Sequence, residues 1–147
     1  MYRFINRTRL PVPKRGIFRS IHTQIESSLQ FHLNSTHIQV NKNQVQDTSL
    51  IEFLRAQGLT GTKLGCGAGQ CGACTVVLEP SVEDDSYRTV NACLTPVLAL
   101  QNERIQTVEG IGTVVKPHEV QKRISELHGS QCGFCSPGMV YINLIAS

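Results

Sequence analysis

Between Gly58 and Thr75 the chain places three cysteines and six glycines in eighteen positions, G-L-T-G-T-K-L-G-C-G-A-G-Q-C-G-A-C-T. Each glycine costs roughly 0.5–1 kcal/mol against alanine inside a regular element, so a segment this rich in glycine is neither helix nor strand. Its backbone must bend tightly, adopt positive φ, or approach another group closely. The cysteines indicate what it approaches. Cys66, Cys71 and Cys74 stand as C-x4-C-x2-C, and Cys93 follows after eighteen intervening residues. Four thiolates converging from a glycine loop and one distant position make a metal site.

That spacing is the plant-type arrangement for a 2Fe-2S cluster. Such a cluster carries excess negative charge, and a loop of glycines turns successive N-H groups inward as a nest that stabilises it. Gly65, Gly67, Gly69 and Gly72 are therefore candidate cofactor-binding positions, and the four cysteines candidate metal ligands. Other readings stand beside this one. Structural zinc also accepts four thiolates, but zinc knuckles present paired C-x2-C units and only Cys71 and Cys74 form one here. A disulfide framework suits small secreted chains, and nothing here reads as a secretory signal. Gly67 to Gly72 formally matches G-x-G-x-x-G, yet the strand-like Thr75-Val76-Val77-Leu78 follows it where a dinucleotide site needs a helix.

The net charge of +3 is misleading, because six of the fourteen basic residues precede the first acid, Glu26. From Glu26 onward eight basic residues face eleven acids, so the folding part is mildly acidic and offers no basic surface for nucleic acid. No run reaches the length of a membrane span. Residues 1–27 are Arg-rich and interrupted by Pro11 and Pro13, and read as a basic tail outside the fold. Their composition also suits a mitochondrial transit segment.

From Leu29 apolar and polar residues alternate through Leu33 and again from Ile38 to Val40, a hairpin turning at Ser35-Thr36. His32 and His37 lie on it as solvent-facing strand residues. Ser49 and Glu52 form a capping box for a helix carrying Leu50, Phe53 and Leu54 and stopping at Gly58. Thr75 to Leu78 is a strand, Glu79 to Arg88 a solvated acidic excursion, and Thr89 to Leu94 a return that delivers Cys93. Val97 to Leu100 and Ile105 to Val108 read as the last strands, and Gly110 and Gly112 as a linker. A helix follows, with Pro117 in its first turn, Val120, Ile124 and Leu127 on one face, and Gly129 as its stop. Cys132 and Cys135 then precede a second helix, with Ser136 as cap and Pro137 as start.

Four motifs in this order carry a resemblance: Gly61 to Thr75, Asn91-Ala92-Cys93-Leu94-Thr95-Pro96, Thr107-Val108-Glu109-Gly110-Ile111-Gly112, and His128 to Met139. From about Leu29 to its end the chain resembles the N-terminal iron-sulfur region of the xanthine dehydrogenase and aldehyde oxidase family of molybdenum hydroxylases, most of all the eukaryotic xanthine dehydrogenase type. The resemblance implies an α+β architecture: a β-grasp ferredoxin-like domain over 28–110, then the first two helices of an all-α iron-sulfur domain over 111–147. It also implies that Cys132 and Cys135 are half of a second 2Fe-2S site. The other half would be a C-x-C beyond Ser147, since two clusters need eight cysteines and the chain has six.

The function so implied is electron transfer between a molybdopterin centre and FAD, both carried by other domains or partner chains. This chain alone then turns over no substrate. The family is chiefly cytoplasmic and homodimeric when full-length, which places a cytoplasmic location beside the mitochondrial one. A stand-alone ferredoxin-like carrier, needing only the first site, and a non-functional fragment of a longer gene are the competing readings.

Overall fold

The computed structural model describes residues 27–80 and 85–145. The tail assigned to 1–27 lies, but for Ser27, outside the described residues, as does the middle of the acidic excursion, 81–84. Five strands form one mixed sheet: β1 (Ser28–Leu33), β2 (Thr36–Asn41), β3 (Thr75–Leu78), β4 (Arg88–Asn91) and β5 (Arg104–Gln106). Their spatial order is β2-β1-β5-β3-β4, with β1 and β5 parallel and every other pair antiparallel. Helix α1 (Leu50–Ala56) packs on one face. There the alternation along β1 delivers Leu29, Phe31 and Leu33 to meet Leu50, Phe53 and Leu54. Phe31 and Phe53 meet edge to face with centroids 5.5 Å apart, worth about 0.5–1.5 kcal/mol beyond area burial.

The Ser49–Glu52 capping box forms as the sequence indicates, with the Ser49 N-H donating to Glu52 Oε2 at 2.9 Å. Two further N-H groups near the helix start, those of Leu50 and Ile51, donate to the carbonyls of Thr95 and Ala92. Helix α1 thereby anchors the segment that carries Cys93. Strand β3 is buried along its whole length. Val76 and Leu78 face the α1 side, while Val77 belongs to the opposite face, where α4 (Ser136–Ile145) packs.

Tyr141 on α4 is fully buried, a core position not anticipated from the sequence. Its hydroxyl has no hydrogen-bond partner among the described residues, and burial holds its phenol in the protonated form. Tyr141→Ala is therefore expected to lose about 3–5 kcal/mol in a urea titration. Tyr141→Phe, which removes only the unpaired hydroxyl, should leave stability unchanged or raised.

Several local expectations are corrected. The β1–β2 turn is Asn34-Ser35 rather than Ser35-Thr36: Asn34 takes φ 54°, a left-handed conformation that asparagine tolerates, while Thr36 pairs with Leu33. Val97–Leu100 is a 3-10 turn rather than a strand. Its three-residue period puts both Val97 and Leu100 into the core. The last strand is confined to β5, and the linker segment contains a single helical turn, α2 (Val108–Ile111).

Helix α3 (Glu119–Glu126) is capped by His118, whose Nδ1 accepts from the Val120 N-H at 3.3 Å, so Pro117 precedes the cap instead of occupying the first turn. The left-handed residue beyond α3 is His128 at φ 53°, not Gly129. Val120 and Ile124 are half-buried, but Leu127, placed on the same face by its spacing, is 77 % exposed. In α4 the Met139 N-H donates to the Cys135 carbonyl, which makes Cys135 the cap and Ser136 the first helical residue. The Ser136 hydroxyl bonds to Ser130 Oγ at 2.7 Å.

Candidate metal centre

The four cysteines of the first set arrive from two directions. Cys66 and Cys71 come from the glycine loop between α1 and β3 and are exposed. Cys74, at the foot of β3, is buried at 2 % exposure, and Cys93, just past β4, is half-buried. The thiols differ in exposure, two facing solvent and two drawn inward. Cys66 Sγ accepts from backbone N-H groups of the loop, whereas Cys74 Sγ lies 4.0 Å from the Asn91 side-chain oxygen, beside the segment that carries Cys93.

The loop is shaped around Cys66. Gly67, Gly69 and Gly72 have φ of +66°, +70° and +69°, a region that costs an L-residue about 1–2 kcal/mol. These turns aim the N-H groups of Ala68, Gln70 and Cys71 at Cys66 Sγ, at 3.3, 3.2 and 3.4 Å. The donors to Cys66 Sγ are the residues set between the glycines, Ala68, Gln70 and Cys71, and the glycines supply the turns. Gly65 has a different part: a Cβ there would stand 2.7 Å from Cys71 Sγ.

Electrostatics follow from this geometry. The N-H of Ala68, then those of Cys71 and Gln70, bring the Cys66 thiol down to about 6. Burial pushes the Cys74 thiol up, so it favours the neutral form until a positive centre offsets the desolvation. Among the described residues no three His, Cys, Asp or Glu side chains converge on a single ion. Two exposed and two inward thiols, from one loop and one distant segment, make up the donor set that the plant-type spacing implies for a 2Fe-2S group.

Residues with no role assigned from sequence hold this frame. The Asn91 side-chain amide donates to the Gly69 carbonyl at 3.2 Å, fixing the loop to β4. Glu109 accepts from the Gly61 N-H at 2.7 Å and from the Thr107 hydroxyl at 2.6 Å, tying the loop entrance to α2. Both lie inside the sequence motifs, but only the fold shows what they touch. Cys132 and Cys135 are exposed at the start of α4, and Phe134 between them approaches Gly65. A Cβ on Gly138 would collide with the Gly72 carbonyl, so α4 rests directly on the loop.

Gly67→Val is expected to shorten the half-life of the bound cluster on dilution far more than Ala68→Glu. Valine at positive φ withdraws the turn that aims the Ala68 N-H, whereas residue 68 contributes its backbone. Equal half-lives would contradict the part given to the turn.

Residues 31–98 match the profile of the 2Fe-2S iron-sulfur cluster binding domain, and residues 107–144 match that of the [2Fe-2S] binding domain. Xanthine dehydrogenase of Emericella nidulans is 45 % identical over 118 residues, covering 78 % of this chain and 9 % of the relative. Aldehyde oxidase of Homo sapiens is 46 % identical over 119 residues, again 78 % of this chain and 9 % of the relative. The chain belongs to the xanthine dehydrogenase and aldehyde oxidase family. It spans the iron-sulfur region, about a tenth of those relatives' length.

Solved structures share the fold. Aldehyde oxidoreductase from Desulfovibrio gigas superposes with a TM-score of 0.66 and 36 % identity, covering 77 % of this chain and 12 % of that one. Quinoline 2-oxidoreductase from Pseudomonas putida 86 superposes with a TM-score of 0.62 and 31 % identity, covering 77 % of this chain and 65 % of that one. Both matched domains of this chain are thus iron-sulfur modules of an electron-transferring family. No described helix is long and apolar enough to cross a membrane.

Proposed function

We propose that Cys66, Cys71, Cys74 and Cys93 hold one 2Fe-2S cluster and that the chain passes single electrons through it within a molybdenum hydroxylase. The observation that carries this reading is the trio of backbone N-H groups directed at Cys66 Sγ by left-handed glycines. When bound, the cluster supplies a one-electron couple. The residues of the chain do the rest. The loop N-H groups compensate the thiolate charge, Cys74 and Ala73 are shielded from water by the core, and exposed Cys66 and Cys71 leave a short path to a partner.

Cys132 and Cys135 supply two of the four thiolates of a second site. The domain limits follow as 28–110 for the β-grasp unit and 111–147 for the helical one. Donor and acceptor are a molybdopterin centre oxidising a xanthine- or aldehyde-class substrate and an FAD, on other domains or subunits of a homodimeric assembly. A cytoplasmic location suits this chemistry. The packing of Gly138 on Gly72 weighs against a carrier that discards its last forty or so residues, because α4 covers the buried strand β3.

Anaerobic titration of the reconstituted chain with dithionite tests the reading. It should consume about one electron per chain, bleach the visible absorption and produce the EPR signal of a reduced 2Fe-2S cluster. A chain with four occupied thiolates and no reducible chromophore would overturn it.

A further inference from the structure

His32 and His37 are direct partners in the β1–β2 ladder. The His32 N-H donates to the Glu103 carbonyl at 2.9 Å, on the side away from β2, so this is the non-hydrogen-bonded type of antiparallel pair. In that type the side chains stand closest. They lie on the face of β1 opposite Phe31 and Leu33, and their rings meet at 61° with centroids 5.1 Å apart. A shallow cleft of about 160 Å³ opens beside them, lined by Gln30, Phe31, His32, His37 and Asn102.

We propose that His32 and His37 form a surface chelate for a divalent transition-metal ion of the kind that imidazole favours, separate from the cysteine centre. With metal–nitrogen distances of about 2.0–2.1 Å and each ring centre about 1.1 Å behind its nitrogen, two imidazoles at a tetrahedral angle have centres about 5 Å apart. The free pair already stands at that spacing. A hairpin holding both ligands makes the second bond intramolecular, which raises affinity well above that of one surface histidine. The cation nearest in register, Arg104 opposite His32 on β5, is engaged by Glu79 at 2.9 Å, which offsets its repulsion of a bound ion. Imidazole is a ligand for zinc, copper and nickel, and water or the Gln30 amide can fill the remaining positions.

The test uses Zn²⁺ as probe on the full cluster-loaded chain under anaerobic conditions, with ¹⁵N-labelled histidine followed by NMR. The ring signals of His32 and His37 should shift together along one saturating curve in the micromolar range, with His118 and His128 unaffected over that range. His37→Gln should weaken the response of His32 about tenfold or more, and His32→Gln that of His37 likewise. Site-resolved signals keep zinc captured at Cys132 and Cys135 from being counted. Two independent millimolar curves, no response, or a single substitution that leaves the other ring's affinity within about twofold would each overturn the proposal.

Discussion

Cys74→Ser is expected to abolish iron retention and, in the cluster-free chain, to cost more stability than Cys74→Ala. Cys74 is 2 % exposed and belongs to the apolar cluster that includes Leu50, Val76 and Val97. Its own carbonyl accepts from the Ala92 N-H at 3.1 Å, so the position cannot swing outward without breaking the join between β3 and the Cys93 segment. A serine hydroxyl there is buried and, on its shorter C–O bond, falls short of the Asn91 side-chain oxygen that lies 4.0 Å from Cys74 Sγ, costing about 1–3 kcal/mol, whereas alanine leaves only a small void. Cys71→Ser should lose iron equally, but the exposed hydroxyl should change the stability of the cluster-free chain by no more than about 0.5 kcal/mol. Iron analysis after reconstitution and urea titration of the cluster-free proteins separate the two effects. Full iron retention by Cys74→Ser would contradict the ligand role proposed for Cys74.

Gly138→Val should detach α4 from the loop and weaken both. A side chain at this position meets the Gly72 carbonyl, a backbone atom that moves only if the turn at Gly72 moves, and Ala73 lies immediately behind it. The helix must then lift from β3, exposing Val77 and Tyr141, which are fully buried in the native packing. Overpacking of this kind costs about 1–3 kcal/mol, and valine gives up the close approach that only glycine allows. The expected outcome is faster proteolysis in the 108–118 segment and a shorter cluster half-life than wild type. A variant with unchanged half-life and unchanged protease sensitivity would show that α4 and the loop are not mechanically joined.

The parts of the fold legible in the sequence were those with a local cause. The alternation from Leu29 to Leu33 specified β1, the Ser49–Glu52 pair specified the start of α1, and the β-branched run Thr75–Leu78 specified β3. Misassigned elements depended on contacts that no local pattern encodes. Val97 and Leu100 read as strand because they are apolar, yet a three-residue turn aims both into the core, and nothing adjacent in sequence announces it. Leu127 was placed on a buried face by its spacing, but it lies past the end of α3 as its cap and stands exposed, while Val120 and Ile124 are half-buried.

The same division runs through the site. Cysteine spacing and glycine density indicated the loop and its four thiols. The donation by Ala68, Gln70 and Cys71 depends on the backbone turns of the loop, and the bracing by Asn91, Glu109 and Gly138 arises only when distant segments meet.

Counting iron and acid-labile sulfide on the reconstituted full chain, with EPR after reduction, tests the central claim most directly. The proposed set of four thiols, with the proposed half-site at Cys132 and Cys135 left empty, predicts about two irons, about two sulfides and a single 2Fe-2S signal per chain. Zinc in place of iron with no signal on reduction, or about four irons with two distinct signals, would contradict it.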